Sequence, residues 1–236
     1  MSPYHFERNK IIVTADDYGI RDSAEYILQL VKQGKLDRVS VLVNYVSHGE
    51  AQALLETGVK IDLHLELIKL IRTGEKLKES AATRGMNFVV RYLLGFVTTQ
   101  KVEEEWRFQI ERFRDVFGRL PDGLNSHEHL HYFPRFFPVF MKLAREYGIS
   151  YVRFGRKSIR SEFNRTPVSK ILSMFWNVNR KRYLESDPDT SELFVSYDWL
   201  DDFNEITELL SENEKPIEVA VHPERKDEFV VAERFF

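Results

Sequence analysis

The stretch Lys10–Val43, KIIVTADDYGIRDSAEYILQLVKQGKLDRVSVLV, sets the architecture. Its β-branched run Lys10–Ala15 predicts a strand, and the amphipathic residues from Asp22 to Gln33 predict a helix that stops at Gly34. Arg38–Val43 (RVSVLV) then returns as a second strand. The same unit recurs outward along the chain. A helix near Gly49–Glu56 ends at Gly58 and leads to a strand at Val59–Leu63. Val102, Trp106, Ile110, Phe113 and Phe117 recur at helical spacing before Gly118. Leu124–Ser126, a helix over Pro134–Tyr147 closed by Gly148, and Ser150–Phe154 repeat the alternation. Leu193–Ser196, a helix near Phe203–Leu210 and the strand Ile217–Val221 complete it. Such repetition predicts an α/β fold with a parallel sheet, closed or nearly closed into a barrel. The stretch Arg156–Thr190 breaks the pattern with a basic, partly apolar sequence and reads as an insertion over one face. No long linker or repeat marks a boundary, so the expectation is one domain over 1–236.

Composition narrows the function classes. The chain has 236 residues, is 43% hydrophobic and carries 34 Lys plus Arg against 37 Asp plus Glu. A net charge of -3 offers no global basic field, which argues against nucleic acid as the partner. Zero cysteines remove disulfides and thiolate chemistry, leaving His, Asp and Glu as metal ligands, and fit the cytoplasm. The polar start Met1–Lys10 reads as no secretory signal, and no run is long enough for a membrane span. Met86–Thr99 (MNFVVRYLLGFVTT), with Arg91 its one charge, reads as a buried helix, or as a lid or subunit contact that makes a homo-oligomer an expectation.

The unusual polar residues fall at the C-terminal ends of the strands. Asp16 and Asp17 follow the first strand, Asn44 the second, His64 the third, His127 the fourth and His222 the last. In a parallel barrel these ends open on one face, where chemistry is assembled from several strands. Of the seven histidines, His127, His129 and His131 fall within five residues. In an extended segment they share one side, so a compact site needs a sharp turn there. Two imidazoles and one carboxylate suit a borderline divalent ion, which makes Asp17, His64 and His127 the candidate ligands. Zinc is favoured by that donor set, and magnesium is the alternative. Asp16 is then placed to accept a proton from water, and His222 to supply one to a leaving group. Neighbouring side chains on a strand point apart, so Asp16 and Asp17 require the strand to end there, with Gly19 supplying the turn. Asn44 and Arg153 are expected to contact substrate, and His129 and His131 to stand behind the ligands. Each signal has a plainer alternative: a turn for Asp-Asp-Tyr-Gly, a polar strand face for His64, a strand end for His222-Pro223, loop scaffolding for the His cluster.

Ile11–Gly19 (IIVTADDYG), Asp62–Leu67 (DLHLEL), Asn125–His131 (NSHEHLH) and His222-Pro223 resemble, in order, the motifs of the YdjC-like carbohydrate deacetylases, which include the chitooligosaccharide deacetylases. The resemblance implies a distorted TIM-like β/α barrel in which Asp17, His64 and His127 bind a divalent metal. It also implies Asp16 as general base, His222 as the acid or the group that steadies the departing amine, and a small carbohydrate as substrate. An Asp is usual in the family where Asn125 stands, so a carboxylate behind a ligand is expected to be missing. Two other readings remain open from the residues: a metal-dependent phosphoesterase, and a sugar-binding or regulatory protein without turnover.

Overall fold

The computed structural model describes residues 7–20, 22–71, 87–88, 90–159, 167–186 and 188–236. Eight strands form one sheet: β1 (Ile11–Tyr18), β2 (Arg38–Val41), β3 (Lys60–Leu65), β4 (Gly123–Ser126), β5 (Tyr151–Val152), β6 (Ser158–Ile159), β7 (Leu193–Ser196) and β8 (Ile217–Val221). Their order is β5-β4-β3-β2-β1-β8-β7-β6, and every pairing is parallel. Helices α1 (Ser23–Lys32), α2 (His48–Leu55), α3 (Thr99–Phe117), α4 (Phe137–Glu146), α5 (Pro167–Ser186), α6 (Asn204–Ser211) and α7 (Lys226–Phe235) accompany the sheet. The sheet curls without closing a full ladder between β5 and β6. At that seam Val152 N donates to Asp189 O at 2.9 Å and Asp189 N to Ser150 O at 3.0 Å. The result is a distorted barrel.

Local chemistry explains the elements. The apolar stripe of α3 buries Val102, Trp106, Ile110 and Phe113, while Thr98 caps its start by accepting from Lys101 N. Gly118 ends it at φ 68, a left-handed conformation that glycine takes without a Cβ penalty. α2 opens with a capping box in which Ser47 and Glu50 satisfy each other's backbone N–H groups.

Strand alternation separates two cores. Val13, Ala15, Val39, Val41 and Leu63 are buried and belong to the hydrophobic core. The alternate positions Thr14, Asp16, Arg38, Ser40, Asp62, His64, Asn125, Arg153 and Glu218 are buried too, and they fill the barrel with polar side chains. Arg38 donates through Nε and Nη2 to the two Asp62 carboxylate oxygens, and its guanidinium lies 3.9 Å from the centroid of the Tyr151 ring. Gly123 leaves room for this pair: a Cβ there would stand 2.7 Å from Arg38 Nη2 and 2.7 Å from Asp62 Oδ1.

The stretch Arg156–Thr190, expected as an insertion, supplies β6 and α5 instead. β6 pairs with β7, and α5 buries Leu172, Trp176, Asn179 and Tyr183 at helical spacing, so this is a further β/α unit of the same sheet. Its strand is only two residues long, too short for periodicity to reveal. Residues 160–166 and 187 of that stretch lie outside the described residues, as do 1–6 of the polar start and 86 and 89 of the 86–99 segment. The described part of that segment is not a buried helix, since Leu93, Leu94 and Phe96 are exposed. Among the described residues no helix is long and apolar enough to cross a membrane.

Candidate active site

β1 runs through both aspartates rather than ending at them, which corrects the expected turn. Its pairing with β2 shifts register between Ala15 and Tyr18, and Asp17 takes φ 67. This bulge turns consecutive carboxylates toward one region. Asp is among the few residues that tolerate a left-handed backbone. The Asp17 carbonyl is held by Ser23 Oγ at 2.7 Å and Ile20 N at 3.3 Å. Gly19, at φ 105, answers a different need: a Cβ there would press within 3.1 Å of Val46 N.

Three ligand-type side chains meet at the C-terminal ends of β1, β3 and β4. Asp17 Oδ1 lies 3.3 Å from His64 Nε2 and 2.9 Å from His127 Nδ1, and ligand atoms of all three fall within 4.8 Å of one another. His64 Nδ1 faces Asn125 Oδ1 in a short hydrogen bond, and Asn125 Nδ2 donates to Ser40 Oγ at 2.8 Å. That fixes the Asn125 oxygen toward the ring, so Nδ1 carries the hydrogen and Nε2 turns its lone pair to Asp17. The amide therefore does the orienting work expected of a carboxylate. Burial works against charge on His127, but the Asp17 carboxylate outweighs it and raises the pKa. Electron-rich atoms converging on one point repel unless a cation or a proton lies between them, and two imidazoles with one carboxylate suit a divalent metal ion.

The His127–Tyr132 turn supplies the sharp bend that the His cluster demanded, with Glu128 and His129 both at φ 54. It distributes the three rings rather than gathering them. His131 is buried, donating from Nε2 to Arg153 O at 3.0 Å and accepting at Nδ1 from Ser126 Oγ at 2.7 Å. Burial drives its pKa well down, so it is a neutral brace for the turn. His129 packs edge-on against Trp199 and Phe194, at 5.1 and 5.5 Å between ring centroids, and its Nδ1 has no hydrogen-bond partner among the described residues. Burial, then the Arg153 charge, lowers its pKa to about 3.

Arg153 corrects the expected substrate contact. It is 0% exposed. Its guanidinium forks onto Asp16 at 2.6 and 2.8 Å, while Nε donates to Glu218 Oε1 at 2.8 Å. Thr14 Oγ1 and Tyr151 OH donate to Glu218 at 3.0 and 2.7 Å. Burial alone would raise the Asp16 pKa, but the Arg153 charge and hydrogen bonds outweigh it and hold the carboxylate well below its usual range. Asn44 is half-buried at the rim, where Nδ2 donates to Glu66 Oε1 at 2.8 Å.

His222 closes the far side from β8. Its backbone N donates to Glu228 Oε2 at 2.7 Å, and its Nδ1 lies 3.2 Å from the same oxygen. Arg225 Nη1 donates to Glu228 Oε1 at 2.7 Å. Burial opposes charge on His222, but the Glu228 hydrogen bond and the Asp17, Glu228 and Asp16 carboxylates push its pKa up to about 9. Neither Glu218 nor Glu228 was singled out from the sequence. Strand parity marks Glu218, which alternates with Ile217 and Val219; Glu228, on α7, carries no such signal.

The family model described as YdjC-like protein matches residues 10–234. A carbohydrate deacetylase of Danio rerio is 31% identical over 153 residues, 61% of this chain and 49% of that protein. A chitooligosaccharide deacetylase of Escherichia fergusonii is 26% identical over 157 residues, 63% of this chain and 60% of that protein. The chain thus spans about half the length of the first and 60% of the second. Among solved structures, one from Enterococcus faecalis described as a cellobiose-phosphate cleavage protein superposes with TM-score 0.63 at 18% identity. It covers 95% of this chain and 84% of that one, a likeness of fold.

Proposed function

This chain belongs to the YdjC-like protein family, and from that premise we propose that it is a metal-dependent hydrolase that removes acetyl from an N-acetylated amino sugar. The observation that carries the reading is the convergence of Asp17, His64 and His127 beside an Asp16 braced by Arg153. A divalent ion held by those three residues supplies Lewis-acid polarisation of an acetamide carbonyl and makes water more acidic. The donor set favours zinc, with magnesium the alternative.

The remaining roles belong to the chain. Asp16 stays ionised at neutral pH and accepts a proton from the attacking water, while Arg153 keeps both carboxylate oxygens in place. Water oxygen bonds to the carbonyl carbon, the C–N bond breaks, and acetate and a free amine leave. His222, protonated at neutral pH, donates to the departing nitrogen, with Glu228 steadying its ring. Asn44, pinned by Glu66 at the rim, is placed to meet sugar hydroxyls. The curated relatives named carbohydrate and chitooligosaccharide deacetylases support the substrate class, and the absence of cysteine supports a cytoplasmic setting.

The test is acetate release from a panel of N-acetylated sugars by metal-stripped protein with each divalent ion restored. Metal-dependent release is expected. Turnover of phosphate esters with none of acetamides would contradict the reading, and tight sugar binding without turnover under any metal would point to a binding protein.

A further inference from the structure

The function proposed above leaves one surface unused. The buried stripe of α5 faces the barrel, and its opposite side exposes Ile171, Met174 and Val178 at 49%, 56% and 55%. Spacings of three and four place these on one line, which continues to the exposed Lys181 and is flanked by the exposed Lys170. A second apolar patch adjoins it, for Leu93 and Leu94 are 76% and 66% exposed. Phe133 joins the two, lying 5.2 Å from the Tyr92 ring and 5.4 Å from the Phe175 ring. The helix is also tied to the catalytic rim, because Asn179 Nδ2 donates to Tyr132 O at 2.7 Å, at the end of the turn that carries His127.

Charge selects the occupant. α5 itself carries Lys170, Arg180, Lys181 and Arg182 against one acidic residue, Glu185, in a chain whose net charge is -3. Exposed aliphatic side chains with basic flanks on one helix are the pattern of a helix that lies in a lipid interface. A second copy of the chain fits less well, because a two-fold pairing of this face brings the Lys170 and Lys181 charges of the two copies together. An anionic bilayer complements both the apolar line and its flanks.

We propose that the outer face of α5, with the adjoining Leu93-Leu94 patch, docks on an anionic lipid surface and so presents the catalytic rim near a membrane. The claim goes beyond the deacetylase reading, and its readout is binding rather than turnover. The full chain is sedimented with vesicles of phosphatidylcholine alone and with phosphatidylserine added, beside a sedimentation-velocity run without lipid. Partition into phosphatidylserine vesicles that falls with added salt is expected. Lys170→Gln with Lys181→Gln should weaken it by roughly fivefold per residue, since each basic residue near an anionic surface contributes about that factor. Ile171→Ser/Met174→Ser/Val178→Ser should weaken it by about tenfold or more through lost apolar burial. These positions are exposed, so folding is retained, which circular dichroism checks. Absence of partition, partition unchanged in both variants, or a lipid-independent dimer that the triple variant dissociates without any vesicle binding would each overturn the proposal.

Discussion

Asn125 stands where the resemblance led us to expect a carboxylate, yet it performs the orienting role by receiving the Nδ1 hydrogen of His64 while anchored to Ser40. Asn125→Ala leaves that hydrogen without an acceptor and should lower metal affinity by about 10- to 100-fold, while Asn125→Asp should retain it; zinc titration of stripped protein measures both. His222 makes a separable prediction because none of the three ligand contacts involves it. His222→Gln should keep the metal and lose roughly 10²–10⁴-fold in kcat, read by steady-state acetate release; an unchanged kcat would remove it from the proton path. Asp16, Asp17, His64, His127 and His222 were legible as residues because each falls at or near the C-terminal end of a strand-like stretch. The role of Arg153 was not, since its buried partners, Asp16 on β1 and Glu218 on β8, lie far from it in sequence. Its position two residues after Tyr151 places it inside the barrel, where its donors reach Asp16, Glu218 and Ser40.

At the scale of elements, the β1 bulge matters most, because it gives one strand two carboxylates on the same side. Periodicity located β1, α3 and β8 closely but missed this bulge, since a register shift depends on the partner strand. It also missed β6, whose two residues leave no pattern. The entry to β4 is secured by Asp122, which accepts from Ile61 N at 2.8 Å and from Arg119 Nη2 at 2.9 Å. Partial burial would raise its pKa, but the Arg119 and Ile61 hydrogen bonds prevail and hold it below the ordinary aspartate range. A depressed folded-state pKa means that its stabilisation is present above about pH 4 and is lost as pH falls through the lower folded value. Urea unfolding of Asp122→Asn should therefore differ from the unchanged protein at pH 6, and the gap should narrow steadily below pH 4. A gap that widens in acid would refute the assignment.

Across the whole molecule, the apolar core lies between sheet and helices while the barrel lumen is polar. Arg153, Glu218 and Asp16, with Arg38 and Asp62 below them, form a buried charge network under the candidate metal centre. Such networks are costly to break from one side, because the partners stay buried without a counter-charge. Arg153→Met should cost about 3–5 kcal/mol in urea unfolding, with Arg153→Lys less damaging because it keeps the charge but not the fork. The barrel class and the face on which the site opens were readable from strand-end positions, whereas a charged lumen was not, since a barrel interior is ordinarily packed with branched apolar residues. The central claim is that metal holding and proton transfer fall to neighbouring aspartates, Asp17 and Asp16. Bound metal and acetate release, measured on the same samples of unchanged protein, Asp17→Asn and Asp16→Asn, test it most directly. The account predicts one ion and turnover in the first, neither in the second, and one ion with turnover almost abolished in the third. Full turnover in Asp16→Asn, or an undiminished ion in Asp17→Asn, would contradict it.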